Sequence, residues 1–320
     1  MRKFFIALAV SLASISSLAS TSSNTSLTSS TSLSGPPRSS CILFTGDILL
    51  DRGVRQVIER RGADALFTPA IDSLFKEAQV VVGNLECPAT KIQAPVQKRF
   101  IFRAEPEWLS VLKKHGFTHL NLANNHAIDQ GRKGLVDTWK NIERAGMKPL
   151  GAGNTMTEAA QPVLLTSTPR KVWLVPSLRL ALENWAYLDH LPTVSQEAMD
   201  SLISRIQRIK KADSTAVVIV SLHWGGEHTQ KPVPSQRMEA HRLINAGADA
   251  LVCHHTHTLQ TIEEYKGKPI YYSIGNFIFD QQKPMNTRGC MVKITIGKEN
   301  IQTEAIPITI QNCKPEISNR

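Results

Sequence analysis

The stretch of this chain richest in reactive side chains is Ala248 to Thr258, A-D-A-L-V-C-H-H-T-H-T. It opens as an apolar run, Ala250 to Val252, and empties into His254, His255 and His257. His255 and His257 are two apart, so in an extended segment they point the same way and can serve one metal ion or two neighbouring ions. A single histidine there would read as a residue satisfied by ordinary hydrogen bonds. Three directly after an apolar strand read as ligands, provided other segments deliver partners. Four other apolar runs do end this way. Cys41 to Thr45 stops at Gly46-Asp47, and Gln79 to Val82 at Gly83-Asn84-Leu85-Glu86. Phe117 to Leu122 stops at Ala123-Asn124-Asn125-His126, and Ala216 to Leu222 at His223-Trp224-Gly225. Packing gives a strand no reason to finish in a polar ligand so often. Carboxylates, an amide oxygen and imidazoles suit one or two divalent ions (Mn²⁺, Zn²⁺ or Fe²⁺) rather than a thiolate site. Two such ions about 4 Å apart are a device for generating hydroxide and clamping an in-line displacement at phosphorus.

The elements that must position these groups alternate. Helical spacing follows the first strand over Val54 to Arg61, and Pro69 opens a second helix. Pro106 opens a third, which runs to Lys114, and Gly134 to Ala145 is a fourth. Short strands are expected at Val163 to Thr166 and Lys171 to Pro176, a helix at Val194 to Lys211, and another at Gln236 to Ala246. The aromatic segment from Ser177 to Thr193 reads as a loop, either facing substrate or packed on the surface. From Leu259 onward, Pro269 to Ile274, Cys290 to Ile296 and Glu304 to Ile310 read as antiparallel strands completing a second sheet. Strand-helix alternation implies an α/β core of parallel strands, with ligands at their carboxyl ends and all five polar ends on one sheet edge.

Composition sets wider bounds. The chain has 320 residues, 42% of them hydrophobic and 20% charged, ordinary for a globular protein with a sizeable core. A formal net charge of +10 favours acidic partners. The basic residues are dispersed, with no long Lys/Arg run, so nothing marks a specific nucleic-acid binder. The cysteines, Cys41, Cys87, Cys253, Cys290 and Cys313, include no C-x-x-C pair, so neither a zinc knuckle nor a redox pair is signalled. Disulfides are open if the protein is exported; packed thiols are the expectation for Cys87 and Cys253. Met1-Arg2-Lys3, the apolar run Phe4 to Val10 and Ser17-Leu18-Ala19 read as a signal peptide over residues 1–19, with an uncleaved anchor as the alternative. Residues 20–40 read as a flexible Ser/Thr-rich linker, 41–313 as the folded domain, and 314–320 as a tail.

Taken together, the motifs resemble the CapA family of bacterial capsule and poly-γ-glutamate synthesis proteins, whose domain is similar to calcineurin-like metallophosphoesterases. The matching pieces are F-T-G-D at 44–47, G-N-L-E at 83–86, L-A-N-N-H-A-I-D-Q-G at 122–131 and G-A-G at 151–153. S-L-H-W-G-G-E-H at 221–228, A-G-A-D-A-L-V-C-H-H-T-H at 246–257 and Y-Y-S-I-G-N-F-I-F-D at 271–280 follow in the family's order. The resemblance implies a two-sheet α/β/β/α sandwich. It implies that Asp47 and His257 hold one metal, that Asn125, His223 and His255 hold the other, and that Glu86 bridges them. His126 would protonate a leaving oxygen or bind substrate. Asn84, Asp129, Glu227 and Asn276 would support the ligands or touch substrate: Asn84 as a loop anchor, Asp129 behind His126 or as a solvated acid, Asn276 fixing a turn. The sequence departs from phosphoesterases at Leu49, where they place a histidine; Asp51 is a candidate substitute. Cys253 and Thr256 stand where Gly and Pro are usual.

The expectation is an exported, metal-dependent hydrolase-type protein at the periplasm or cell surface, working with a polyanionic polymer or its biosynthetic membrane complex. Two alternatives stay open: a non-catalytic polyanion-binding subunit on the same fold, and a phosphatase of another pathway.

Overall fold

The computed structural model describes residues 39–180 and 191–318. The expected signal peptide, nearly all of the expected linker and the middle of the aromatic segment lie outside the described residues. In the first half of the chain, β1 (Ser39–Ile48), β2 (Val80–Leu85), β3 (His119–Asn121) and β4 (Lys148–Leu150) alternate with α1 (Arg52–Arg61), α2 (Pro69–Glu77), α3 (Leu109–Lys114) and α4 (Gly131–Arg144). Then come β5 (Ala152–Gly153), the short α5 (Met156–Ala159), β6 (Val163–Thr166), β7 (Val172–Leu178) and β8 (Thr193–Val194). α6 (Met199–Ala212), β9 (Val217–His223), α7 (Pro234–Asn245) and β10 (Ala250–Val252) follow. The last strands are β11 (Ile262–Tyr265), β12 (Lys268–Tyr271), β13 (Asn276–Ile278), β14 (Arg288–Gly297), β15 (Ile301–Gln311) and β16 (Lys314–Ile317).

The strands make two large sheets, one ordered β16-β15-β14-β1-β2-β3-β4 with β13 beside β1, the other β11-β12-β10-β9-β7-β6. In the first, β1 to β4 run parallel; in the second, β7, β9, β10 and β12 do. Strand alternation explains why both stay buried on two faces. Ile42 and Phe44 of β1 face inward with Val217, Ile219 and Val252 in the inter-sheet core. Leu43 turns the other way, onto the helix side with Ile71, Phe75 and Ile142. On the far side of the second sheet, Val218, Val220 and Leu251 pack on Leu202, Ile206 and Leu243 from α6 and α7. Each such side chain, fully buried, contributes about 1.5–3 kcal/mol. The result is the α/β/β/α sandwich expected.

The helices start and stop where their sequences say. Thr68 caps α2 by accepting from the Ile71 N–H, with Pro69 in the first turn. α1 is capped by Asp51 and ends on Arg60, Arg61 and a left-handed Gly62.

The C-terminal strands correct the expected layout. β14 pairs antiparallel with β1, so β14 to β16 extend the first sheet, whereas β11 and β12 join the second. β1 had an apolar edge left open, and Val292, Ile294 and Ile296 fill the inter-sheet core beside Ile42 and Phe44. Residues 314–317, expected in a tail, form β16. The turn before it places both Asn312 and Cys313 at positive φ, a two-residue hairpin made without a glycine. α6 begins at Met199, later than expected, because Thr193–Val194 is spent pairing with β5. All the cysteines are free thiols.

Candidate metal centre

The polar strand ends do converge, but from two sheets rather than one edge. Asp47, Asn84, Glu86, Asn125 and His126 come from the carboxyl ends of β1, β2 and β3 or the turns after them. His223, His255 and His257 come from β9 and the turn after β10. Face-to-face packing of the sheets closes the site between their ends.

Glycine sets the position of Asp47. A Cβ on Gly46 would lie 2.1 Å from the Gly275 oxygen, so β1 and the turn before β13 approach as only glycine allows. Asp47 N–H donates to that same oxygen at 3.0 Å, and Asp47 registers opposite Asn276. F-T-G-D and S-I-G-N-F, more than two hundred residues apart, are thereby one structural unit.

The histidines do not converge through strand alternation. His255 (φ 97°) and His257 (φ 56°) both adopt left-handed backbone in the bend after β10. This is strain for a residue with a Cβ, and it turns both rings into the site. His254, between β10 and that bend, bridges to His223 through backbone pairing and places Nε2 3.0 Å from the Thr45 carbonyl. Trp224 anchors the H-W-G turn by donating its indole N–H to the Tyr272 carbonyl at 2.9 Å.

Two donor groups result. Glu86, His223 and His255 form one, and Asp47, Glu86 and His257 the other, with each set of ligand atoms within 4.8 Å of one another. Glu86 is common to both. Around His223 Nε2 lie Asn125 Oδ1 at 2.8 Å, His255 Nδ1 at 3.1 Å and Glu86 Oε1 at 3.5 Å. Ligand-type atoms thus gather around one ring nitrogen, an arrangement that suits a cation. On the other side, His257 Nδ1 lies 3.2 Å from Asp47 Oδ2 and Nε2 lies 3.8 Å from Glu86 Oε1. Both Glu86 oxygens are buried without a hydrogen-bond partner among the described residues. Buried carboxylates are normally paired or metal-bound, so this orphaned pair of oxygens between two donor sets fits a divalent ion. The buried His, Glu and Asp groups can bind metal.

The electrostatics agree. Burial, then the charge of Asp47, pushes the Glu86 carboxyl well above its usual range. Burial would raise Asp47 too, but the hydrogen bond to His257, the charges of His254 and His257 and the Asn84 N–H hold it below its usual value. Burial and the neighbouring imidazoles take His223 well below its usual value and His255 to about 3, so both are neutral and free to ligate. His257 is pushed up to about 9, because Glu86 and Asp47 outweigh its burial. Its proton occupies the charge position that a cation would take, so metal binding there releases it.

The supporting residues are now placed. Asn84 is more than a loop anchor: its Nδ2 donates to Asp47 Oδ1 at 2.8 Å and lies 3.3 Å from His223 Nδ1, joining the two halves. Asn276 Oδ1 lies 2.9 Å from His257 Nδ1, leaving Nε2 for a metal. Asp129 Oδ2 accepts from His126 Nδ1 at 2.8 Å and is fully buried, which excludes the solvated-acid reading. Glu227 is exposed, 3.8 Å from His228 Nε2, and its charge reaches Glu86 and His257. Asp51 is no substitute ligand: it caps α1 and accepts from Arg55 and the Arg103 N–H. Leu49 is fully buried and packs in the helix-side hydrophobic core. Cys253 packs with Leu251 and Tyr272, and burial raises its thiol pKa. Two residues were not anticipated. Asn124 holds the Asn125–His126 turn by accepting from the His126 N–H and donating to the Leu85 carbonyl. Lys98 reaches the same turn from an irregular segment that carries no periodic signal.

Residues 41–281 match the family model described as bacterial capsule synthesis protein PGA_cap. The chain belongs to that family. It is 34% identical over 281 residues to the PGA biosynthesis protein CapA of Bacillus subtilis (strain 168), covering 85% of this chain and 72% of that one. It is 31% identical over 278 residues to the capsule biosynthesis protein CapA of Bacillus anthracis, covering 85% and 67%. Among solved structures, the NAD nucleotidase (NadN) of Haemophilus influenzae aligns at 12% identity and a TM-score of 0.48, over 88% of this chain and 52% of that one. Among the described residues no helix is long and apolar enough to cross a membrane.

Proposed function

We propose that this PGA_cap protein is exported and acts in capsule or poly-γ-glutamate biosynthesis as a metal-dependent hydrolase or transferase. Its substrate would be a phosphoryl-like or amide centre on a polyanionic polymer or on a component of the complex that makes it. The observation that carries the reading is the Glu86 carboxylate, buried, with neither oxygen hydrogen-bonded among the described residues, and shared by two donor sets. The relatives' names, capsule and PGA biosynthesis, supply the pathway.

The residues divide the work. Asn125, His223 and His255 would hold one divalent ion, Asp47 and His257 the other, and Glu86 would lie between them. Bound ions of this kind supply Lewis acidity and lower the pKa of a coordinated water to near neutrality. The chain does the rest. Asp129 fixes His126 with Nδ1–H toward the carboxylate, leaving Nε2 to exchange a proton with a leaving group. Burial, only partly offset by Asp129, holds the His126 ring below its usual pKa, so it returns a proton readily at neutral pH. Phe102 lies against the ring with centroids 4.3 Å apart and restricts water on that side.

Elemental analysis of protein purified from Mn²⁺-, Zn²⁺- and Fe²⁺-supplemented cultures tests this. One or two ions per chain are expected, lost in His255→Ala/His257→Ala. Wild type without a transition metal would contradict the proposal. The second reading, a polyanion-binding subunit without catalysis, is favoured by Leu49, which packs in the core where phosphoesterases have a ligand. Hydrolysis of phosphodiester or γ-glutamyl substrates with Mn²⁺, abolished by His126→Ala, would exclude it.

A further inference from the structure

The irregular segment between β2 and α3 is stitched to the catalytic turn along its length. Ala94 N–H donates to Gln130 Oε1 at 3.1 Å, Val96 N–H to the Asp129 carbonyl at 3.0 Å, and Phe102 N–H to Asp129 Oδ2 at 2.8 Å. Between these ties Phe100 and Ile101 are exposed, yet the Lys98 side chain, in the same stretch, is only 7% exposed. A buried lysine needs acceptors for its N–H donors. Lys98 Nζ donates to the Asn125 carbonyl at 2.9 Å and to Asp129 Oδ1 at 2.9 Å, and lies 3.4 Å from His126 Nδ1.

We propose that Lys98 is a positioning residue that acts through the Asn125–His126 peptide and through Asp129; this rests on the metal-dependent reading of the site. The peptide joining Asn125 to His126 is gripped at both ends. Lys98 holds its carbonyl, and Asn124 Oδ1 accepts its N–H at 3.1 Å. That grip aims Asn125 Oδ1 at His223 and the His126 ring at Asp129. Lys98 also holds Asp129 by donating to its Oδ1, while Asp129 Oδ2 faces His126 Nδ1. An ionised carboxylate can only accept, so His126 must carry its proton on Nδ1 and present Nε2 to substrate.

Manganese titration calorimetry and long-range ¹H–¹⁵N spectra of the histidine rings, recorded on Lys98→Met and wild type, test the proposal. Lys98→Met is expected to weaken binding about tenfold or more at the ion held by Asn125, His223 and His255, and to leave the Asp47/His257 ion unchanged. It is also expected to lose the single Nδ1–H tautomer of His126, and Lys98→Arg to retain it. A folded Lys98→Met with unchanged Mn²⁺ affinities and unchanged His126 ring shifts would overturn the proposal. Wild type that binds no Mn²⁺ would defeat only the metal reading; the His126 spectra then decide the role of Lys98 alone. Should Lys98→Met not fold, Lys98→Gln, which drops the charge but keeps a donor, gives the same comparison.

Discussion

Glu86 holds two buried oxygens that no hydrogen bond satisfies among the described residues, and that sets what its replacement should do. In chelated protein Glu86→Gln removes an acid that is costly to ionise in place, so it is expected to raise stability by about 1–3 kcal/mol. With Mn²⁺ added, the variant should gain little where wild type gains strongly. Denaturant midpoints with and without metal check both halves, and a variant less stable than wild type in chelator would contradict the reading. Leu49 gives a complementary prediction. Its side chain sits in the helix-side core, so Leu49→His is expected to cost roughly 3 kcal/mol by burying an unpaired imidazole. Tighter metal binding with no loss of stability would show that the position does face the site. The candidate ligands are readable in sequence, because a carboxylate or imidazole at the end of an apolar run has few structural reasons to be there. Lys98 and Asn124 are not: one lies in an aperiodic segment, the other acts through backbone groups that no spacing reveals.

At the scale of elements, the strand-end rule found the segments but not how they turn. His255 and His257 face one centre through left-handed backbone, a conformation that residue type alone does not announce for histidine. Elements also need tying to one another away from the site, and Asp249, just before β10, shows how. Its Oδ2 accepts from Lys210 Nζ at 2.5 Å and from the Val218 N–H at 3.0 Å, and its Oδ1 from Lys268 Nζ at 2.8 Å. One carboxylate thus joins α6, β9 and β12. Burial would raise its pKa, but the two lysines and the backbone N–H hold it below the usual 3.8. A depressed folded-state pKa stabilises above the unfolded value and is lost as pH falls through the folded value. Wild type should therefore lose its advantage over Asp249→Asn below about pH 4. At pH 7 the variant should be less stable by about 2 kcal/mol. Urea titrations at pH 7 and pH 3 check this; an equal difference at both would contradict it.

Over the whole molecule, the two sheets were legible as a class and not as a topology. Period-two apolar runs after Leu259 identify strands, but nothing in such a run says which sheet edge accepts it. β14 goes to β1 because that edge is open and its inward face needs covering, a fact of the assembled core. The same logic predicts the effect of shortening the chain. β16 covers the edge of β15 through pairing from Ile308 to Gln311, and Pro315 is buried. Deleting residues 314–320 would bare that edge, and is expected to lower stability by about 2 kcal/mol and to promote self-association. Thermal melts with light scattering report both, and an unchanged melt would place those residues outside the fold's energetics.

The most direct measurement is an anomalous-difference map from crystals grown with Mn²⁺. Two peaks about 4 Å apart are expected, one among Asn125, His223 and His255, the other between Asp47 and His257, with Glu86 between them. A single peak touching Glu86 would reduce the centre to one ion. No peak within reach of Glu86, in protein that keeps its fold, would contradict the account.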